Sequence, residues 1–327
     1  MIISRAPVRL SMGGGGTDLP SYYEQYCSFL MTACINKYVY IMLNKRFNES
    51  IRLSYSKTEI VDNIDQIEHR IFREALRYTK IDKQIELVSV ADMPAHCGLG
   101  TSSTFTVALL NALFEYKRSY VTLTELAESA CHIEINILKE PIGKQDQYAS
   151  VFGGFNAYWF NQDGSVRVEP VMIKEEKMME LQNNILLFYL KKERSASDIL
   201  DSQNKKIKEA DTGTIERLHK IKEIGIQTKK IFESGNIDAF GEILHEHWLV
   251  KKGLSDKISE PFIDEAYEVG RKNGALGGKV VGAGGGGFLL LYCPLDKSKL
   301  INAMSEIGLF PMWFSFEPQG AKIIFYS

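Results

Sequence analysis

Pro94 to Ser103, PAHCGLGTSS, has the composition of an anion site. Small residues and hydroxyls lead straight into a run where Phe105, Ala108, Leu109, Ala112 and Leu113 recur at helical spacing. That spacing predicts a helix from Thr101 to Tyr116 with one apolar face turned inward. Its first N–H groups would lack intrahelical partners and stand at the positive end of the helix dipole. Gly98 and Gly100, flanking Leu99, would let the main chain come close to a phosphate, and Ser102 and Ser103 add hydroxyls suited to a phosphate or an ion. Taken alone, the segment also fits a glycine turn followed by an ordinary Thr or Ser cap.

Two carboxylates stand in unusual settings. The helix predicted over 124–139 has an apolar stripe of Leu123, Leu126, Ala127, Ala130, Ile133, Ile137 and Leu138, and Glu134 falls inside it. A carboxylate on a buried face must be paired, protonated or bound to a metal, so Glu134 is a metal ligand, half of a structural ion pair or a residue at the edge of the stripe. Glu125 and Glu128 project from the other face, where solvent accounts for them. Asp146, in GKQDQYAS, follows Pro141 and Gly143 at the start of another helix. It suits either a general base for a hydroxyl or a first-turn charge complementing the helix dipole.

A third cluster, Gly282 to Gly287 in KVVGAGGGGFLLLYC, formally matches the G-x-G-x-x-G of dinucleotide-binding oxidoreductases. That fingerprint runs from a strand into a helix, whereas FLLLYC reads as another strand, which disfavours the match. The chain has no GxxxxGK[ST] loop and no HRD or DFG segment, so phosphate binding must use a different construction.

The elements that must hold these residues read as strands at both ends with helices between. MIISRAPVRLSM, ACINKYVYIMLNKRF, IRLSYS and IELVSV are strand-like, and helical periodicity covers Asp65 to Thr79. GGFNAYWF and SVRVEPVMI form a hairpin around Asn161-Gln162-Asp163-Gly164. A charged stretch near 172–182 predicts a boundary, giving an N-terminal domain of residues 1–175 and a C-terminal domain of 176–327. The second domain begins with ILLFYL, continues with helices near 196–210, 213–234 and 236–252, and closes with the strand-like runs KVVGAGGGGFLLLYC and AKIIFYS. The fold class is α+β with two domains and the active site in the cleft between them.

The chain has 327 residues, 45% of them apolar, and a net charge of −2. Such a balance gives no global field for nucleic acid or an anionic membrane. No apolar run approaches a membrane span, and five cysteines without a CxxC pair suit reduced thiols, so a cytoplasmic protein is expected.

In order and spacing these motifs resemble the GHMP small-molecule kinases over nearly the whole chain. APVRLSMGGGGTDLP is similar to the family's substrate motif, PAHCGLGTSS to its phosphate loop, GKQDQ to its catalytic aspartate segment and GGKVVGAGGGGF to its C-terminal glycine loop. The resemblance implies that Pro94 and Gly98 through Ser103 hold ATP, and that Ser102 and Glu134 hold Mg²⁺, with Ser103 a neighbouring candidate. It implies that Asp146 orients and deprotonates the acceptor hydroxyl while Arg9 stabilises charge near the reacting oxygens. Gly16, Thr17, Asp18, Gly143 and Gly284, Gly285 and Gly286 are implied at the substrate.

Departures from the family narrow the substrate. Gly15-Gly16 replaces the Glu-His pair of galactokinase-like members, and Val281 stands where mevalonate kinases have a threonine, which argues against both substrates. The motifs are most similar to those of members that phosphorylate the anomeric oxygen of a sugar phosphate. The substrate's own phosphate then needs cations, for which Arg194, Lys251 and Lys252 are candidates, although solvated surface charge explains all three as well. A kinase for fucose or galactose and a catalytically silent sugar and nucleotide sensor are the competing readings. The expected partner is a small-molecule sugar phosphate rather than nucleic acid or membrane, with homodimer formation left open.

Overall fold

A computed structural model describes residues 1–192 and 196–327. The first sheet is built on two long adjacent strands, β1 (Ile2–Gly13) and β2 (Ser28–Lys45), with α1 (Pro20–Tyr26) between them in sequence. β3 (Ile51–Ser54), β4 (Thr58–Val61) and, after α2 (Arg70–Thr79), β5 (Ile85–Ala91) extend the sheet from the second half of β2. The first half of β2 pairs instead with β6 (Phe155–Phe160), which forms the expected hairpin with β7 (Val166–Pro170). One strand can serve two partners because eighteen residues at about 3.3 Å each outrun either neighbour.

Between β5 and β6 lie α3 (Thr101–Tyr116), α4 (Leu123–Cys131) and α5 (Gln145–Phe152). α3 begins at the residue the sequence predicts, yet it is not amphipathic: Thr104, Thr106, Val107 and Leu110 are buried as well as the expected apolar face. It runs through the interior against β1 and β2 with other helices over it, so every side must be apolar or small. α4 opens on a Thr122–Glu125 capping box and ends sooner than the predicted helix, passing into a π-helical turn over His132–Ile137. The wider turn rotates later residues off the α-helical stripe, and Ile137 is exposed, as is Leu123 at the other end.

After α6 (Glu175–Asn184), the second sheet holds β8 (Ile185–Tyr189), β9 (Gly277–Val280), β10 (Phe288–Tyr292) and β11 (Pro311–Met312) in the order β11-β8-β10-β9. Its helices are α7 (Ala196–Lys208), α8 (Thr212–Ser234), α9 (Ala239–Lys252), α10 (Pro261–Lys272) and α11 (Lys297–Glu306). The glycine run 282–287 joins β9 to the antiparallel β10, and no helix follows it, which removes the dinucleotide-fingerprint reading.

The two halves are less separable than a cut at residue 175 suggests. The closing strand β12 (Lys322–Tyr326) returns to pair with β1 at the edge of the first sheet. A shared core joins Val8, Leu10 and Met12 of β1 and Phe29 and Met31 of β2 to Leu187, Ile224, Phe240 and Leu290. At its rim α8 meets the first sheet so closely that a Cβ on Gly225 would lie 3.0 Å from the Gly14 backbone.

The glycine loops of the two halves lie back to back. Gly98 has φ +82, and a Cβ there would come within 2.7 Å of the Val281 carbonyl oxygen; a Cβ on Gly282 would lie 2.6 Å from the Gly98 oxygen. Gly98→Ala is therefore expected to destabilise the protein by about 2 kcal/mol or more, from left-handed backbone strain plus the steric conflict. Urea denaturation should show this as a lower midpoint. An unchanged midpoint would mean that the loops separate at little cost.

Candidate functional site

A cavity of about 290 Å³ opens where the two glycine loops meet the ends of β1, α3 and α5. The phosphate-loop candidates form one wall. α3 is capped by Gly100 in the left-handed region, φ +81, with no side chain bonded to its first N–H groups. That geometry replaces the ordinary Thr or Ser cap and leaves the donors facing the cavity, where Thr101, Ser102 and Ser103 also lie. Leu99 is buried in the shared core, its carbonyl accepting from the Arg9 N–H at 3.1 Å. Pro94 is exposed outside the cavity and meets the loop only through its carbonyl, which accepts the Thr101 hydroxyl.

Arg9 is buried at the centre. Its Nε and Nη2 donate to Asp146 Oδ1 at 2.7 and 2.6 Å, and its Nη1 donates to the Gly98 carbonyl at 2.8 Å. Asp146 stands in the first turn of α5 beside Gly100, where a Cβ would lie 2.9 Å from Oδ2. A cation, a carboxylate and the phosphate-loop backbone thus converge on one point.

Asp18 and Gly143 form the adjoining wall. Gln145 donates to Asp18 from its backbone N–H and its side chain, at 3.1 and 3.0 Å. Only glycine fits at position 143, since a Cβ would lie 1.9 Å from Asp18 Oδ2. Burial, reinforced by the negative charge of Asp146, pushes the Asp18 carboxyl up to about 6. Gly16 lines the cavity and its carbonyl accepts from Gln203 of α7, which ties that helix to the loop. Thr17 does not line it: its buried hydroxyl donates to the Gly14 carbonyl at 2.8 Å and meets Ser28, so it shapes the loop from behind.

Glu134 sits in the π-helical turn, 1% exposed at the cavity edge. Ser103 donates to its Oε1 at 3.2 Å and Gln147 to its Oε2 at 2.6 Å, and burial pushes the carboxyl up to about 7. No cation pairs with it among the described residues, so the structural ion-pair reading is not what the fold provides. Ser102, the predicted companion, is exposed to the cavity, while Ser103 makes the contact. Among the described residues no three His, Cys, Asp or Glu side chains cluster tightly enough to hold a metal unaided. One carboxylate and a hydroxyl beside free helix N–H groups fit Mg²⁺, which takes most of its ligands from phosphates and water. Glu128, expected to be merely solvated, instead pairs with Lys144 at 2.9 Å and accepts the Tyr148 hydroxyl at 2.6 Å, clamping α4 to α5.

The glycines at the far loop divide. Gly282 and Ala283 line the cavity, whereas Gly284, Gly285 and Gly286, predicted at the substrate, turn away: Gly284 and Gly285 meet Ile258, and Gly286 packs on the Lys192 carbonyl. They hold the loop rather than line the cavity, and at Gly284 and Gly286 a Cβ would crowd the Ile258 and Lys192 carbonyls at 3.1 and 2.5 Å. Of the candidate cations, Lys251 lines the cavity; Lys252 points away to pair with Asp264 at 3.0 Å, and Arg194 lies outside the described residues. Sequence reasoning missed Lys279 and His247, both buried and both on the cavity wall. The available signals were a lysine inside a strand-like apolar run and a histidine four residues before Lys251 on one helix face.

Comparison with known proteins finds two family domains along the chain. The GHMP kinases N terminal domain matches residues 69–154, and the GHMP kinases C terminal domain matches residues 228–308. The D-glycero-alpha-D-manno-heptose 7-phosphate kinase of Campylobacter jejuni is 32% identical, covering 98% of each chain. A solved D-glycero-D-manno-heptose 1-phosphate kinase from Bacteriodes thetaiotaomicron superposes over 100% of both chains with TM-score 0.82 at 30% identity. The Lactococcus lactis galactokinase complexed with galactose shares the fold, with TM-score 0.77 and 18% identity over 98% of this chain and 94% of its own.

The Glu134 carboxyl ionises less readily folded than unfolded, so its contribution to stability is greatest below about 4.5 and is lost as pH rises through about 7. In metal-free protein, Glu134→Gln should remove this loss, gaining stability over wild type on the order of 2–3 kcal/mol by pH 8 but little at pH 4.5. Denaturant midpoints across that range provide the check. A difference that does not change with pH would count against an ionisable carboxyl buried there.

Proposed function

The chain belongs to the GHMP kinase family, and on that premise we propose that it transfers the γ-phosphoryl group of ATP to the anomeric C1 hydroxyl of D-glycero-D-manno-heptose 7-phosphate, giving the 1,7-bisphosphate. The coarser statement, a sugar kinase acting on a sugar phosphate, follows from the heptose phosphate kinases it is similar to. The observation that supports phosphoryl transfer to a hydroxyl is the convergence of Arg9, Asp146 and the Gly98 carbonyl between a helix N-terminus and a glycine-lined loop, and the choice of acceptor is supported by the similarity to the Campylobacter jejuni heptose 7-phosphate kinase.

Each residue then has a task that its surroundings support. The free N–H groups of α3, with Gly98 and Gly100, cradle the phosphates of ATP. Ser102, Ser103 and Glu134 would hold Mg²⁺, which when bound neutralises charge on those phosphates. Asp18, Gly16 and Gly143 bound the sugar. Because both guanidinium bonds to Asp146 fall on Oδ1, Oδ2 is left to accept the proton of the sugar hydroxyl as its oxygen bonds to phosphorus and ADP departs. Arg9, held by Asp146 and Gly98, offsets charge that develops on the transferring group without having to move. Burial, with the positive charge of Arg9 nearby, lowers the Lys251 ammonium to about 7.

Release of ADP over a panel of sugars and sugar phosphates, with phosphorus NMR to locate the new phosphate, tests the substrate. Heptose 7-phosphate should be preferred over free heptose, fucose and galactose, with the new resonance at C1; a preference for an unphosphorylated sugar would overturn the assignment. Asp146→Asn should lower kcat by roughly 10²-fold or more while ATP and sugar still bind. Turnover near that of wild type would remove Asp146 from the proton transfer. Glu134→Gln should raise the Mg²⁺ concentration needed for half-maximal rate and reduce kcat in a folded protein. An unchanged magnesium titration would remove Glu134 from the metal site.

A further inference from the structure

One wall of the cavity carries three buried basic groups, of which the sequence pointed only to Lys251. Lys279 on β9 is 2% exposed, and among the described residues its Nζ has only the Met12 carbonyl at 3.3 Å and His247 Nδ1 at 3.2 Å. His247 on α9 is 1% exposed, and its Nε2 has no partner among the described residues. One turn further along α9, Lys251 donates to the carbonyls of Val280 and Gly282. The buried Ser11 hydroxyl of β1, also unpartnered, lines the same cavity. Among the described residues no carboxylate pairs with either lysine or with the histidine.

Buried basic groups without a counter-charge are costly to ionise, and a structure that retains them beside a cavity leaves a place for an anion whose charge would favour their protonated forms. Their position selects which anion. Lys279 is bonded to Met12, next to the Gly13–Asp18 stretch that bounds the sugar, while the donor phosphates already have the α3 N-terminus on another wall. We propose that Lys279, His247 and Lys251, with the Ser11 hydroxyl, form the receptor for the phosphate monoester carried by the acceptor sugar. This rests on the heptose 7-phosphate reading above and locates the substrate's own phosphate within it.

The same surroundings make binding proton-coupled. Burial and mutual repulsion push His247 and Lys279 well below their ordinary values and Lys251 down to about 7. The charged groups facing them across the cavity are Arg9 and its partner Asp146, with Asp18 beyond. On the outer faces of α9 and its neighbours, Lys220 pairs with Glu246 and Lys252 with Asp264. A dianion entering the site favours the charged forms, and protons are taken up as it binds.

The test uses the intact enzyme. Isothermal titration of heptose 7-phosphate without ATP at pH 8, in two buffers of different ionisation enthalpy, should show uptake of about one proton per site. A phosphate monoester is already dianionic there, its second pKa being about 6. Free heptose should bind without proton exchange. Lys279→Met and His247→Gln should each raise KM for heptose 7-phosphate by roughly 30-fold or more, leaving KM for ATP and for free heptose nearly unchanged. Binding of the 7-phosphate with no proton uptake by wild type would overturn the proposal, and that measurement needs no variant to fold. So would a rise in KM for ATP instead, which would assign the cluster to the donor. If wild type showed no preference for the 7-phosphate over free heptose, the substrate reading itself would fall; if wild type shows the preference and both folded variants keep it, only this site assignment fails.

Discussion

The Arg9 guanidinium is the interaction on which the site depends. Three segments far apart in the chain meet on it: Arg9 from the first strand, Gly98 from the loop before α3, and Asp146 from the first turn of α5. A buried guanidinium must find acceptors in fixed directions, so its fork sets where the carboxylate and the loop backbone lie relative to each other. The unused oxygen of Asp146 is then held beside Gly100, next to helix donors that no cap has claimed.

Glycine contributes here through what it allows to approach. Gly98 and Gly282 put two backbones in direct contact, Gly143 lets Asp18 lie against the chain, and Gly225 lets a helix of the second half rest on the Gly14 turn. These approaches bring cavity walls from both halves within reach of one small ligand pair. They also explain why residue 175 is a weak divide. The shared core and the returning strand β12 join the halves, so relative motion is constrained on the side away from the cleft.

The cleft brings together groups that water would ordinarily separate. Glu134 and Asp18 are raised by burial, while Lys251, Lys279 and His247 are lowered by it, and the two sets occupy different parts of the wall. On the proposed reading, such a surface receives charge of both signs at once, a divalent cation with its phosphates and a second phosphate elsewhere. This polarisation costs stability in the empty protein, in keeping with functional sites that are optimised for their ligands.

Much of this was legible in the residues. Hydroxyls and glycines ahead of a periodic run fixed the start of α3 at Thr101, the interruption of an apolar stripe placed Glu134 inside, and the strand-like run after Gly287 disfavoured a dinucleotide fold. Those features are local: backbone conformation and helical phase depend on neighbours within a few positions. What lies across the cleft from what does not. Lys279 and His247 went unrecognised, Gly284 to Gly286 lay outside the cavity lining, Ser103 rather than Ser102 met Glu134, and the final strand returned to the first sheet. Burial of a charge and the direction of a loop are set by segments hundreds of residues away, packed together by a core whose shape no local pattern encodes.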